Sequence, residues 1–265
     1  LEANGDFENA KVLLREKGQS KADSKSGRTT AQGIAVIQVE ADDAVILEVN
    51  CETDFAAKDN LFNQFVNNIA KLILEKNIDN MDQLSQQSVD EFDNIEEYRK
   101  YAISKLGENI TIRRFQRIKI DGQIGSYIHG TKIASLVVID RQDAELAKDV
   151  AMHVAASKPE YLSCSDIPDE IIKEESRILA LQAEEEGKPK EIIEKIVQGK
   201  LKKQFGQTTL TGQEFVKDPD ITIGQLLAQK DTSVNFFIRY EVGEGVEIEE
   251  VNFADEVKAQ VDAIK

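Results

Sequence analysis

Ile34–Asn50 reads IAVIQVEADDAVILEVN. Two apolar, β-branched runs, IAVIQVE and AVILEVN, meet at the turn residues Ala41–Asp43, which predicts a β-hairpin with acidic turn chemistry. Ninety residues further on, Ile124–Asp140 reads IGSYIHGTKIASLVVID, a stretch of the same length, and each hairpin leads to a helix. The triplet Ala57-Lys58-Asp59 meets Ala147-Lys148-Asp149 at that same offset. Identities are few, so the recurrence suggests an internal duplication without establishing one. The expected fold is α+β: two related subdomains, each a small antiparallel sheet backed by helices.

The first unit grows outward from its hairpin. Leu61, Phe62, Phe65, Val66, Ile69, Ala70, Leu72 and Ile73 recur at spacings of one, three and four, which predicts a helix with one buried stripe. A second helical stretch at about Val89–Leu106 and a strand at Ile110–Ile120 (ITIRRFQRIKI) complete an N-terminal core subdomain over 33–120. The second core subdomain takes 121–168 and 206–245, with a short helix near Ile223–Gln229 and a strand at Asn235–Glu241. Between its two parts, 169–205 carries two amphipathic patterns, Ile171 to Leu181 and Ile192 to Leu201. Gly187 is placed to end the first and Pro189 to begin the second, which predicts an antiparallel helical hairpin.

At the start, Asp6 can cap a helix that carries Phe7, Ala10, Val12, Leu13 and Leu14 and stops at Gly18, so 1–18 reads as the tail of a helical module. The polar, small and locally basic stretch at 19–32 (QSKADSKSGRTTAQ) is expected to be a linker. At the other end, 246–265 is expected to form a C-terminal helical module from about Phe253. The chain starts at Leu1 instead of Met, which predicts lost N-terminal sequence.

With 265 residues and 41% hydrophobic composition, the chain can bury a real core. It carries 33 basic and 49 acidic residues, a formal balance of −16, and such a field repels phosphate backbones and anionic lipid. Direct nucleic-acid binding is therefore disfavoured. Its apolar runs, Ile133–Ile139 among them, fall far short of the ~20 residues of a membrane-spanning helix, and no signal peptide is visible. Cys51 and Cys164 offer no disulfide framework and read as free thiols in a reducing cytosol, so a cytoplasmic location is expected.

Catalytic signatures are missing: the sequence has no GxxxxGK[ST] loop, no HExxH and no CxxC. Gly243-Glu244-Gly245 lacks the third glycine of a dinucleotide fingerprint and reads as a turn. His129, His153, Cys51 and Cys164 include no pair at metal-ligand spacing, so neither a metal nor a cofactor is expected. The residues point to a protein that acts by binding, not to an enzyme.

The segment that follows the first hairpin, TDFAAKDNLFNQF at Thr53–Phe65, resembles the bacterial elongation factor Ts family. So do GENITIRR at Gly107–Arg114, GSYIHG at Gly125–Gly130, AMHVAASKPEYL at Ala151–Leu162, GKPKEIIEKIVQGK at Gly187–Lys200, LTGQEFVKDP at Leu210–Pro219 and FIRYEVGEG at Phe237–Gly245. The match runs in order along essentially the whole chain, and LEANGDFENAKVLLREKG resembles the last helix of that family's N-terminal ubiquitin-associated-like module. The resemblance implies a guanine-nucleotide exchange factor that binds elongation factor Tu in its GDP-bound and nucleotide-free forms, expels GDP and lets GTP enter. It implies a core of two related subdomains, a protruding helical hairpin and a C-terminal helix.

The resemblance also implies roles for residues. Thr53, Asp54, Phe55 and Ala56 would form the partner-binding element, with the Phe55 ring as a wedge near the partner's Mg²⁺ site. Met152, His153 and Ser157 would meet the partner from the second subdomain. Read from the residues alone, Phe55 could instead pack on the following helix as a staple, and Asp54 could simply cap that helix. His153 sits at the edge of an apolar stripe formed by Ala147, Val150, Ala151 and Val154, where a local hydrogen bond is the plainer reading. The alternative is an interaction scaffold that oligomerises through its helical hairpin, for example as a homodimer, without exchange activity. Two departures from the family bear on this: Ala56-Ala57 stands where Val-Ala is more common, and the earlier helices of the N-terminal module are missing.

Overall fold

The computed structural model describes residues 20 and 22–247, apart from the side chains of 190 and 191. The helical modules expected at 1–18 and beyond residue 247 lie outside the described residues. The fold is α+β, with small antiparallel sheets.

Strands β1 (Gln32–Glu40), β2 (Asp43–Cys51) and β3 (Ile110–Lys119) form one antiparallel sheet in the order β1-β2-β3. Strands β4 (Gln123–His129), β5 (Ile133–Ile139) and β8 (Val234–Glu241) form another in the order β4-β5-β8. A third pair, β6 (Glu214–Phe215) with β7 (Asp218–Thr222), makes a small ribbon. In the first hairpin Glu40 faces Asp43, and Ala41 takes a left-handed φ of 48° to close the turn.

Alternation along β2 explains how the layers stack. Val45, Leu47, Val49 and Cys51 point to one side, into a cluster with Phe62, Phe65, Val66 and Ile69 of helix α2 (Asn60–Glu75; α1 is the short helix Asp54–Ala57). Ala44 and Ile46 point to the other side and meet Ala134, Leu136, Val138 and Tyr240 of the second sheet. The middle strand of the second sheet mirrors this: Val137 and Ile139 pack against Leu146, Val150 and Val154 of the helix at Ala144–Ser157. Two sheets therefore lie face to face with helices outside them, and strands buried on both faces read as near-continuous apolar runs.

Further elements fill in around this frame. Helices α3 (Met81–Ser85) and α4 (Ile95–Leu106) follow α2, and α5 is Ala144–Ser157. Helices α6 (Asp169–Glu185) and α7 (Lys190–Thr208) pack together through Leu179, Ala183, Ile193 and Val197, while α8 covers Ile223–Gln229. Gly187, with φ +72°, lies in the turn between α6 and α7.

Two details differ from the sequence-based expectation. Val89–Leu106 is not one helical stretch: Val89 bridges to Phe92, and α4 begins only after Asn94, whose side chain accepts from the Glu97 amide. The stretch 19–32 is not a free tether over its described part. Ala22 is buried, Asp23 pairs with Lys100 at 2.7 Å, and Asn109 donates to the carbonyls of Ser26 and Arg28, while Gln32 already opens β1. Polar composition concealed these attachments because they run largely through backbone carbonyls and a single buried alanine. Among the described residues no helix is long and apolar enough to cross a membrane.

Candidate functional site

The chain leaves β2 at Cys51 and turns at once into α1. Thr53 is the N-cap, in extended conformation, and its hydroxyl accepts from the Ala56 amide at 3.2 Å. Asp54 is therefore the first helical residue, not the cap. Its carboxylate receives Lys58 Nζ at 2.7 Å, and this hydrogen bond holds it below the usual carboxylate range. Ala56 and Ala57 are buried in the first core. Between them and the solvent stands Phe55, 80% exposed, with the Lys58 ammonium 5.9 Å from its ring centre. The staple reading is overturned: small residues face inward and the large ring faces out, the reverse of what a core demands.

Composition gave no hint of what supports this arrangement. Glu108 accepts from both the amide (3.0 Å) and the hydroxyl (2.6 Å) of Thr53, and the Cys51 thiol donates to the Thr53 carbonyl. Next to it, Glu52 accepts from the Asn109 amide at 2.6 Å. The signal that could have found Glu108 is its place after Gly107, the left-handed C-cap of α4, where the chain must turn back beside β2.

In the second unit His153 is placed differently from the sequence expectation. It lies on α5 but is fully buried, not at a stripe edge, and so cannot touch a partner directly. Nε2 lies 3.0 Å from the side-chain oxygen of Gln213 and donates to it, while Nδ1 accepts from the Val216 amide at 3.3 Å. Burial pushes its pKa below the ordinary value. The reason lies outside α5: the ribbon β6–β7 folds over this face, with the Phe215 ring centre 6.2 Å away. Val216, on that ribbon's turn, is 42% exposed. Met152 and Ser157 are half-buried, and the Ser157 carbonyl accepts from Gln213. Phe55 thus stands on α1, which packs on the first core, and His153 on α5, which packs on the second.

A concavity of about 340 Å³ lies elsewhere, between α3, α4 and β3, with Met81, Leu84, Ile95 and Ile112 in its wall. Its charged members, Glu96 and Arg99, pair with each other at 2.7 Å, and its serine, Ser85, donates to the Asp82 carbonyl. Among the described residues no three His, Cys, Asp or Glu side chains gather as a metal site.

A family profile described as Elongation factor TS matches residues 52–244, which takes in α1, β3, the second sheet and the β6–β7 ribbon. An elongation factor Ts from Legionella pneumophila (strain Paris) is 46% identical over 263 residues, 98% of this chain and 90% of that protein. Its counterpart from Methylococcus capsulatus is 48% identical over 265 residues, 99% of this chain and 90% of that protein. The chain belongs to the elongation factor Ts family.

Membership in the elongation factor Ts family places the chain among translation elongation factors of protein biosynthesis. Within this family member, a charged joint links the first sheet to the segment after β8. Glu48, buried on β2, accepts from Arg113 at 2.9 Å, Arg114 at 2.6 Å and the Gly243 amide at 2.9 Å. Glu244, beside that glycine, pairs with Lys158 at the end of α5, which holds its carboxylate below the usual range.

Proposed function

We propose that this chain is a guanine-nucleotide exchange factor for elongation factor Tu, acting in the cytoplasm by binding and not as an enzyme, and needing no cofactor of its own. In this reading Thr53–Ala56 meets the GTPase near its Mg²⁺ and phosphate site, and Phe55 is the wedge. The observation that carries the proposal is the Phe55 ring, 80% exposed above a base tied by Thr53, Ala56 and Glu108. A large apolar ring held out in water by a fastened helix costs hydration, and a partner's crevice offsets that cost.

The chemistry follows from Mg²⁺ itself. The ion demands near-ideal octahedral geometry, so a shift of ~1 Å in the groups around it loosens the ion, and the phosphates lose their main counter-charge. Asp54, ionised and paired with Lys58, lies beside the ring and would add repulsion toward phosphate. The factor weakens GDP only by preferring the nucleotide-free partner, and the weakening is reciprocal, so nucleotide expels the factor in turn. A 10⁴-fold loss of GDP affinity requires roughly 5.5 kcal/mol of such preference.

The second contact would come from α5 and the ribbon beside it. Met152 and Ser157 are partly accessible, and His153 acts from within by holding the Val216 turn. The equal lengths of the sequence stretches Ile34–Asn50 and Ile124–Asp140 and the matching arrangement of layers support reading 33–120 and 121–168 with 206–245 as related subdomains, with 169–205 inserted as a helical hairpin. A second reading, oligomerisation through α6 and α7, is favoured by Ile171, Leu181 and Ile192, each between 39% and 47% exposed. Light scattering of the purified chain distinguishes it from a monomer.

The deciding experiment is stopped-flow release of fluorescent GDP from elongation factor Tu. Phe55→Ala is expected to slow release while leaving the fold intact; release as fast as with the unchanged chain overturns the wedge.

A further inference from the structure

We infer that Glu108 is a positioning residue for exchange: its carboxylate fixes Thr53 and through it the direction in which Phe55 leaves the surface. This rests on the exchange reading above. A wedge works only if pushing it does not rotate it, and an α1 of four residues, Asp54–Ala57, is far too short to be stable by itself. Something outside it must set its axis.

Asn63 donates to the Ala57 carbonyl at the far end of α1, at 3.2 Å, and further groups touch that axis nearer its start. Ala56 and Ala57 sit in the core, but methyl groups allow a short helix to roll. The Cys51 thiol is a weak donor to the Thr53 carbonyl. Glu108 alone makes two directional contacts, to the Thr53 amide at 3.0 Å and the Thr53 hydroxyl at 2.6 Å. Because the hydroxyl proton is committed to Glu108, the oxygen's lone pairs face the Ala56 amide, 3.2 Å away. One carboxylate therefore orients the cap, and the cap orients the helix.

Glu108 is itself immobilised from both sides. Gly107 before it has φ +79° and closes α4, with its carbonyl receiving Lys25. Asn109 after it is buried, donates to the Ser26 and Arg28 carbonyls, and gives its amide to Glu52. The base of Phe55 is thereby linked to α4, β3 and the stretch entering β1.

Glu108→Gln tests this while keeping the shape of the side chain. An amide presents one acceptor and one donor end, so it cannot accept from both Thr53 groups: with its oxygen on the Thr53 amide, its NH2 meets the hydroxyl, which must turn its proton away, and the charge that orients the cap is lost. Release of fluorescent GDP from elongation factor Tu at saturating factor is expected to slow on the order of tenfold, the worth of one charge-assisted hydrogen bond. The thermal midpoint is expected to move little. In a Phe55→Ala background Glu108→Gln should add nothing, because its effect passes through the ring. Thr53→Val, which removes the hydroxyl end of the same contact together with the cap on the Ala56 amide, should act in the same direction and at least as strongly.

Wild-type release by Glu108→Gln, or an equal slowing in the Phe55→Ala background, overturns the inference. Should Phe55→Ala itself release GDP at the wild-type rate, the wedge reading fails and hydrogen exchange decides for Glu108. Faster exchange at the Thr53 and Ala56 amides in Glu108→Gln supports the positioning role, and unchanged protection there overturns it.

Discussion

Arg114 reaches from the first sheet toward the second: its Nε donates to Glu48 at 2.6 Å, and its guanidinium carbon lies 4.2 Å from the ring centre of Tyr240. Glu48 is fully buried, whereas Arg114 is one-third exposed, so the acid depends on the pair far more than the base does. It also accepts from Arg113 on β3 and from the Gly243 amide just after β8. A buried carboxylate with three donors from two sheets is a joint between layers, not a surface ion pair.

Glu48→Ala is therefore expected to destabilise the chain by about 2–4 kcal/mol, because Arg113 and Arg114 lose a buried acceptor that partial hydration replaces only in part. Urea unfolding followed by circular dichroism measures this. A loss below about 0.5 kcal/mol, the range of an exposed pair, would mean that apolar contacts such as Ile46 with Ala134 hold the layers alone.

His153 makes stability depend on pH. Both ring nitrogens are used, Nδ1 as acceptor from Val216 and Nε2 as donor to Gln213. A protonated ring would present a donor to the Val216 amide and place a charge in an enclosed site. Its folded pKa is depressed, so the unfolded chain binds the proton more readily, and stability rises with pH. The contribution is fully present above the unfolded value of about 6.5 and is lost as pH falls from there through the folded value. His153→Gln is expected to flatten thermal midpoints in that window. Proton NMR should show His153 titrating below the ordinary value; titration at or above it sinks the argument.

How much of this was legible in the residues depends on where the information sits. Both hairpins and α2 announced themselves through apolar periodicity, because β2 and β5 are buried on two faces and α2 on one. The exposed ring of Phe55 was not legible in its own neighbourhood, since a Phe beside a cap usually packs inward; the family resemblance, not periodicity, pointed outward. The burial of His153 was invisible because the element that covers it, β6–β7, has a first strand of two residues and lies sixty residues further along. Glu108 was hidden among 49 acidic residues, and only the distance to Thr53 separates it from a solvated carboxylate.

Gly125 marks a place where backbone meets backbone. A Cβ there would lie 2.1 Å from the Ala147 carbonyl of α5, so any side chain must push the helix off β4. Its counterpart at the ninety-residue offset is Ala35, which is buried against the second sheet without such a clash. Gly125→Ala is expected to cost about 1–3 kcal/mol by overpacking, while Ala35→Gly costs less than about 1.5 kcal/mol. Equal losses in urea unfolding would show that α5 shifts freely.

The two thiols are expected to separate cleanly in reactivity. Cys51 is buried at the end of β2, and burial pushes its pKa up to about 12, with the Glu108 carboxylate adding to the rise. Cys164, in the turn after α5, is exposed. Only a thiolate attacks a disulfide reagent, so at pH 8 the folded chain should release one equivalent of thionitrobenzoate quickly, from Cys164. Cys51 should follow only with unfolding. Because its thiol donates to Thr53, the same carbonyl-to-cap unit that Glu108 orients, Glu108→Gln should hasten the slow phase if α1 opens locally before the whole chain unfolds. A slow phase identical in both chains, tracking only global stability, would place α1 and β2 in one cooperative unit.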